Sequence, residues 1–251
     1  MKERFTALMN MQYLASKMGM KIEDFNISSI VILSWNKDII IQLAKRIEAK
    51  RIKSWPYRNV VYSGYVKDKQ ITLAHINIGA AITVASMEDF VACGARTFIG
   101  LGYAGSLNKN VPIGSVIIPD AVLAEEGTSQ HYGVKGNIIP CRRLMNTICE
   151  ALEYEEIEII KGKVWTTDAM YRETIEKIRN YGNIGILGVD METSAMYAFG
   201  QFRGIDVCNI LVVTDELYEE WKPAYFDNVV NQRYTDILNA LVNMLKNISI
   251  I

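Results

Sequence analysis

Hydrophobic and polar residues alternate along this chain with two different periods. Apolar runs, and stretches in which every second residue is apolar, predict β-strands, whereas apolar residues spaced three or four apart predict amphipathic helices. The predicted strands include 29–34, 59–66, 70–76, 112–119 and 157–164, with further apolar runs ending near residues 107, 190 and 215. The predicted helices include 4–18, 37–50, 79–94, 141–153 and 228–247. This alternation, without an internal repeat or a domain-sized linker, predicts one α/β domain.

The length of the chain agrees with that prediction. Its 251 residues are enough for one sizeable domain with a single core. We expect residues 1–28 to form an N-terminal helical extension and residues 29–251 to form the domain. The apolar face of helix 4–18 is expected to pack on the body of the protein or on a partner subunit.

Composition and charge exclude several classes of protein. The formal net charge is −1 and 22% of the residues are charged, so no overall field favours nucleic acid or an anionic membrane. The four cysteines include no CxxC pair, which is typical of a reducing compartment. No apolar run reaches membrane-spanning length, and residues 1–5 do not resemble a signal peptide. We therefore expect a cytoplasmic protein.

Acidic residues stand at the ends of two predicted strands. In the run 188–195, a short apolar strand turns into a helix and delivers Asp190 and Glu192 at the turn. In the run 212–217, a buried strand ends on Asp215. Ligands of α/β sheets bind at the carboxyl ends of strands, so both runs can contribute to one pocket. One carboxylate would hold sugar hydroxyls and the other would manage a proton.

These runs resemble those of the nucleoside phosphorylase superfamily, which includes purine nucleoside phosphorylases, uridine phosphorylases and nucleosidases. The resemblance rests on Val189–Glu192 with the small-residue helix after it and on Thr214-Asp215. It extends from about residue 30 to the C-terminus and is strongest over 97–132 and 185–217. It implies a single-domain fold with a twisted mixed β-sheet flanked by helices, and cleavage of an N-glycosidic bond.

The resemblance assigns roles to the acidic residues. Glu192 matches the glutamate that accepts hydrogen bonds from ribose hydroxyls, and Met191 would pack on the sugar. Asp215 matches the aspartate that protonates the base; its alternative is a turn or helix-capping role. Uridine phosphorylases lack this aspartate, so its presence favours a purine-type base. Asp190 is included on the base side, with a structural role as its alternative.

The resemblance implies that two further segments contact the base. Residues 97–107 are predicted to be a strand that runs into a glycine-rich turn, which would bring Tyr103, Ala104 and Gly105 to the base. The loop 165–174 would cover the base with Met170 and Arg172. The alternative for Arg172 is an ion pair with Glu173, Glu176 or Asp168.

The phosphate side departs most from the family pattern. The residues expected there are Gly79 at a helix N-terminus, Gly102 in the glycine-rich segment and His131 in the polar loop 125–133. The usual Gly-Asp-Pro loop and its arginine are replaced by Ser34–Asp38, and Gly100 occupies the place of a second arginine. Candidate replacement cations are Lys37, Arg58, His131 and Arg172, or a residue of a neighbouring subunit.

The expected function is therefore a nucleoside phosphorylase that needs no cofactor and no metal and uses inorganic phosphate as co-substrate. A nucleosidase that uses water and a catalytically inert nucleoside-binding relative are the alternatives. A dinucleotide-binding domain is disfavoured, because the glycines at 100, 102 and 105 do not have GxGxxG spacing. We expect a homo-oligomer built on dimers, possibly a hexamer, with contacts from the N-terminal helix and the aromatic segments 55–57 and 221–226.

Overall fold

The structure, a computed structural model, describes residues 3–133 and 136–247. Its helices are α1 (Ala7–Lys17), α2 (Lys37–Arg46), α3 (Ala80–Ala92), α4 (Arg142–Tyr154), α5 (Ile175–Asn183), α6 (Thr193–Arg203) and α7 (Asn228–Asn247). Its strands are β1 (Ile30–Ser34), β2 (Lys50–Arg51), β3 (Val60–Val66), β4 (Lys69–His75), β5 (Thr97–Ser106), β6 (Val116–Ala124), β7 (Ile159–Thr166), β8 (Gly188–Asp190), β9 (Asp206–Glu216) and β10 (Lys222–Pro223). Short 3₁₀ helices cover Ile22–Phe25, Ser129–Tyr132 and Met170–Arg172.

The ten strands form one mixed sheet in the order β10-β9-β6-β7-β8-β5-β1-β4-β3-β2. Strand β9 also pairs in parallel with β5 along nearly its whole length. This second pairing closes β5, β9, β6, β7 and β8 into a ring, from which β1 to β4 extend as an open sheet. The predicted α/β class and twisted mixed sheet are therefore confirmed.

The core lies on both faces of the sheet because the central strands are buried on both sides. On β1, Ile32 packs in a cluster with α2, α4 and α7, whereas its neighbours Val31 and Leu33 pack in a second cluster with α1, α3 and α6. This alternation is the period of two expected of a strand. Strand β9 is also a central strand and is buried along nearly its whole length. Its near-continuous apolar sequence follows from this burial.

Helix α1 shares a core with the rest of the domain. Its side chains Met11 and Ala15 are buried in the same cluster as α3 and α6, and Phe25 packs edge to face against Trp55 in that cluster. The apolar periodicity that predicts this helix therefore has one face on the body of the protein. The boundary at residue 28 stays a prediction.

One element differs from its prediction in a way that shapes the site. The glycine-rich segment is not a turn, because β5 continues through it to Ser106. The glycines provide space for close packing: a Cβ at Gly102 would lie 2.8 Å from Cζ3 of Trp35. They therefore keep this strand close to its neighbours rather than reversing the chain.

Among residues 3–133 and 136–247, no helix combines the length and apolar character needed to span a membrane. Nor do those ranges bring three or more His, Cys, Asp or Glu side chains together in a group suited to a metal ion.

Candidate active site

A cavity of about 630 Å³ opens where β1, β5, β8 and β9 end. It is lined by the residues after β1, by Tyr103–Gly105 of β5, by Val189–Glu192 at the β8–α6 junction and by Thr214 and Asp215 of β9. The segment after β7 and the segment after β9 complete its wall. The carboxyl ends of the strands thus meet at one cavity, as the sequence pattern predicts.

Asp215 faces this cavity from the end of β9 and is 7% exposed. Its Oδ2 accepts a hydrogen bond of 3.0 Å from Nε1 of Trp221, and its Oδ1 accepts one of 3.2 Å from the Thr214 hydroxyl. The short strand β10 pairs Pro223 with Asp215 and so returns Trp221 to the carboxylate. Burial raises the pKa of Asp215, while hydrogen bonds from Trp221, Thr214 and Tyr225 oppose that rise.

Glu192 lies at the start of α6 and is also buried. Its Oε1 accepts a hydrogen bond of 2.6 Å from the backbone N–H of Gly79, at the N-terminus of α3. Gly79 has φ of +121°, a conformation that favours glycine. Burial and the neighbouring Asp190 raise the pKa of Glu192 to about 8. The Glu192 side chain also lines the cavity.

Asp190 does not offer its carboxylate to a ligand. Its Oδ1 accepts from the Thr166 hydroxyl at 2.7 Å. Its Oδ2 accepts from the backbone N–H groups of Glu192 and Thr193 and from the Thr193 hydroxyl, at 3.2, 2.8 and 2.5 Å. The carboxylate therefore binds the first N–H groups at the start of α6, although the residue borders the cavity. This geometry corrects the expected base contact in favour of the structural alternative.

The expected base side is brought together largely as the sequence suggests. Tyr103, Ala104, Gly105 and Met170 all line the cavity. The Tyr103 hydroxyl accepts a hydrogen bond from Nδ2 of Asn36, which holds the ring at the β1–α2 corner. A Cβ at Gly105 would lie 2.6 Å from Cδ1 of Leu217 and 3.4 Å from Oδ2 of Asp215, so glycine leaves room beside the acid.

Four of the expected site residues do not line the cavity of this chain: Gly79, Gly102, His131 and Arg172. The Gly79 N–H is already bound to Glu192 and is not free for phosphate. Gly102 lies within β5 against Trp35. His131 and Arg172 are exposed on two of the 3₁₀ helices. Within the described residues, Arg172 also makes none of the three ion pairs named as its alternative.

Positive charge is scarce around the cavity. Lys37 is the only lysine or arginine that lines it in the part of the chain that the structure describes. It is the first residue of α2, directly after Asn36, whose side chain accepts a hydrogen bond of 2.8 Å from the Asp38 N–H and caps the helix. Arg58, another candidate replacement cation, is exposed and does not line the cavity.

The structure adds cavity residues that sequence reasoning missed. The sequence pattern predicts subunit contacts for Trp221 and Tyr225, but both line the cavity beside Asp215. An aromatic cluster so soon after a candidate catalytic acid was the signal available for them. Glu173 also lines the cavity, and burial followed by the charge of Asp215 raises its pKa to about 7. Nothing in the local sequence pattern distinguishes Glu173 from the other acids of that segment.

Known proteins resemble both the sequence and the fold. A family model described as the phosphorylase superfamily matches residues 31–246. A guanosine phosphorylase of Halorubrum lacusprofundi is 20% identical over 205 residues, which are 81% of this chain and 85% of the relative. A DeoD-type purine nucleoside phosphorylase of Bacillus cytotoxicus is 24% identical over 160 residues, 62% of this chain and 68% of the relative.

Two solved structures share the fold. A uridine phosphorylase of Vibrio fischeri has a TM-score of 0.77 and 24% identity, and the match covers 89% of this chain and 93% of that one. A purine nucleoside phosphorylase of Toxoplasma gondii in complex with immucillin-H has a TM-score of 0.82 and 21% identity, and covers 91% and 93%. The expected fold class is thus found in solved proteins of the same architecture.

Proposed function

Because the chain belongs to the phosphorylase superfamily, we propose that it is a nucleoside phosphorylase, a pentosyltransferase that cleaves the N-glycosidic bond of a purine-type nucleoside. The products would be the free base and ribose 1-phosphate, and inorganic phosphate would be the co-substrate. We place this reaction in nucleoside metabolism and purine salvage, in the cytoplasm. The observation that carries the proposal is the pair of buried carboxyls, Glu192 and Asp215, on one cavity.

Asp215 is proposed as the acid that protonates the departing base. A purine leaves poorly as an anion, so a carboxyl with a raised pKa beside its nitrogen lowers the barrier. Burial of Asp215 supports this role because it raises the pKa of the carboxyl. Tyr103, Met170 and Trp221 supply apolar surface to cover the base.

Glu192 is proposed to hold the ribose, with Met191 packed against the sugar. One oxygen of the carboxyl is bound by the Gly79 N–H, which fixes the side chain at the wall of the cavity. Sugar hydroxyls are donors of the kind that a buried carboxylate needs. The Asp190 carboxylate supports this geometry by holding the start of α6.

Phosphate is proposed to bind at the β1–α2 corner. The Lys37 ammonium and the N-terminal end of α2 both attract an anion. A single lysine is weak for a phosphate dianion, which usually has several charged donors. We therefore propose that a neighbouring subunit contributes further donors.

That proposal requires a homo-oligomer, built on dimers and possibly a hexamer. Exposed apolar side chains on and beside α1 support it, namely Phe5, Leu8, Met9 and Tyr13. Sedimentation at micromolar concentration tests it, and a clean monomer would contradict it.

Hydrolysis is the second candidate function, favoured by the scarcity of positive charge around the cavity. The deciding experiment measures release of free base from a panel of purine and pyrimidine nucleosides, with and without phosphate. Phosphate-dependent release from purine nucleosides is the expected result. Phosphate-independent release would make the protein a nucleosidase, and no release from any nucleoside would favour a binding protein.

A further inference from the structure

The segment that follows β9 returns to the carboxyl at the end of that strand. At one end of the segment, the Leu217 N–H donates to the Ser106 carbonyl at 2.9 Å. At the other end, the Ala224 N–H donates to the Thr214 carbonyl at 2.8 Å, and β10 between them pairs with the end of β9. Trp221 stands directly before β10, so the backbone holds this residue at the wall of the cavity.

Trp221 contacts Asp215 through a group that can only donate. Its Nε1 lies 3.0 Å from Oδ2 of the carboxyl. The residue is 63% exposed, so its ring adds little to the hydrophobic core. The hydroxyls of Thr214 and Tyr225 also reach this carboxyl, but a hydroxyl can donate or accept. Of these three groups, the indole is the one whose role as donor is fixed.

A fixed donor makes the two oxygens of a protonated Asp215 different. The oxygen that accepts the indole bond is favoured as the carbonyl oxygen, since a protonated carboxyl donates through one oxygen and accepts best through the other. The proton is then on Oδ1, where the Thr214 hydroxyl at 3.2 Å can accept as well as donate. Once the proton has left, the indole bond is charge-assisted and therefore stronger. The bond thus favours the state that follows proton transfer.

We propose that Trp221 is a positioning residue, whose indole holds Oδ2 of Asp215 and so assigns the transferable proton to Oδ1. This inference rests on the proposed function. As a phosphate oxygen bonds to C1′ of the ribose, the bond from C1′ to the base nitrogen breaks and its electron pair stays with the base. The proton on Oδ1 moves to the ring nitrogen of the base, and the indole stabilises the carboxylate that remains. The proton that hydrogen phosphate loses in becoming the ester dianion restores the acid.

The inference predicts a dependence on the chemistry of the leaving base. A purine such as that of guanosine needs a proton from Asp215. The same base methylated at N7 already carries a positive charge on its imidazole ring, so it leaves without a proton from the protein. A residue that only shapes the cavity would affect both nucleosides alike.

The test compares Trp221→Phe with the wild type on a purine nucleoside that the wild type cleaves and on its 7-methyl form. Phenylalanine keeps an aromatic ring but has no N–H. Single-turnover rates at saturating phosphate and mildly acidic pH follow bond cleavage while the methylated base keeps its charge. We expect the rate for the unmethylated nucleoside to fall about tenfold, the typical worth of one charged hydrogen bond. The rate for the 7-methyl form should change by less than about twofold.

The pH profile of the unmethylated nucleoside gives a second readout. Loss of the indole removes a bond that favours the ionised form, so the pKa of Asp215 rises. Activity that needs the protonated acid should therefore persist to higher pH in Trp221→Phe than in the wild type.

Other titratable groups share this cavity and stay in place in the variant. They are Lys37, Tyr103, Tyr171, Glu173, Glu192 and Tyr225. Burial and the charge of Asp215 raise the pKa of Glu173 to about 7 and that of Tyr225 to about 12. Because Glu173 also titrates near neutral pH, the readout is the displacement of the profile between the two proteins rather than its midpoint.

Trp35→Phe is the matched control. Trp35 lines the same cavity, but its indole donates to the Thr83 hydroxyl at 2.8 Å. This variant should change both rates by the same factor and leave the pH profile in place.

An equal loss on both nucleosides, no loss on either, or an unmoved pH profile in Trp221→Phe would overturn the inference while the proposed function stands. If the wild type cleaves no purine nucleoside, the proposed function fails and the inference fails with it.

Discussion

Two sides of the cavity are built in different ways. The acidic wall, made of Glu173, Glu192 and Asp215, carries three carboxyls whose pKa values are all raised, chiefly by burial. The β1–α2 corner, made of Trp35–Lys37, carries one exposed lysine and no other cation that the described residues show. In the proposed reaction, one chain would therefore supply most of the groups for a nucleoside but only a minimal site for an anion.

The two sides place different physical demands on the groups around them. A buried carboxylate is costly unless donors reach it, as the Gly79 N–H does for Glu192 and the Trp221 indole does for Asp215. A phosphate site at an exposed corner can draw donors from a lysine, a helix terminus or another subunit. The following predictions test this contrast, beginning with the largest expected effect.

Among the substitutions in the acidic wall, Asp215→Asn should lower turnover most. The amide keeps the size of the side chain but cannot transfer a proton to the base, so kcat should fall about 10² to 10⁴-fold. KM for the nucleoside should change little, because the lost interaction forms in the transition state. Steady-state kinetics with a purine nucleoside measures both constants.

Glu220→Gln is the control for this variant, since it removes an exposed acid of the same segment that does not line the cavity. Turnover close to the wild-type value in Asp215→Asn would remove the acid role from that residue.

Glu192→Gln should lower kcat/KM for the nucleoside without changing KM for phosphate. Glutamine replaces one carboxyl oxygen, an acceptor for ribose hydroxyls, with an amide group that can only donate, and kcat/KM for the nucleoside should fall about tenfold to a hundredfold. KM for phosphate should stay the same, because the altered group lies on the acidic wall. Initial rates at varied nucleoside and varied phosphate distinguish the two, and an effect confined to phosphate would contradict the assignment.

Lys37→Ala should weaken phosphate binding at the β1–α2 corner. Among the described residues no other lysine lines the cavity, so the loss of Lys37 should raise KM for phosphate about tenfold, the typical worth of one charged hydrogen bond. KM for the nucleoside should be unaffected. Lys45→Ala, an exposed lysine on the same helix that does not line the cavity, serves as the control. If KM for phosphate does not change, phosphate binds elsewhere than the β1–α2 corner.

The smallest expected effect concerns stability and pH. Burial and Asp190 raise the pKa of Glu192 from 4.5 to about 8 in the folded protein. The folded state therefore binds this proton more tightly than the unfolded state, and the associated stability is lost as pH rises from about 4.5 through 8. We expect the Tm of the ligand-free wild type to fall relative to that of Glu192→Gln over this range. A constant difference between the two Tm values would show that Glu192 stays ionised.

Much of the fold follows from the sequence because the signals are local. The apolar run of β1 and the apolar spacing in α7 predict these elements within a residue or so of their observed bounds. The glycine-rich segment 100–105 predicts a turn but forms part of a strand, in which Gly102 leaves room for the Trp35 ring. A turn and a crowded strand both require glycine, and the sequence pattern does not distinguish them.

The α/β class and the delivery of Glu192 and Asp215 by the ends of two strands follow from the sequence, since apolar runs and strand ends are properties of neighbouring residues. The groups that surround these acids follow from the tertiary structure. It brings the Thr166 hydroxyl to the Asp190 carboxylate and places Glu173 in the same cavity as Asp215. These arrangements join segments far apart in the chain, and local periodicity carries no information about such pairings.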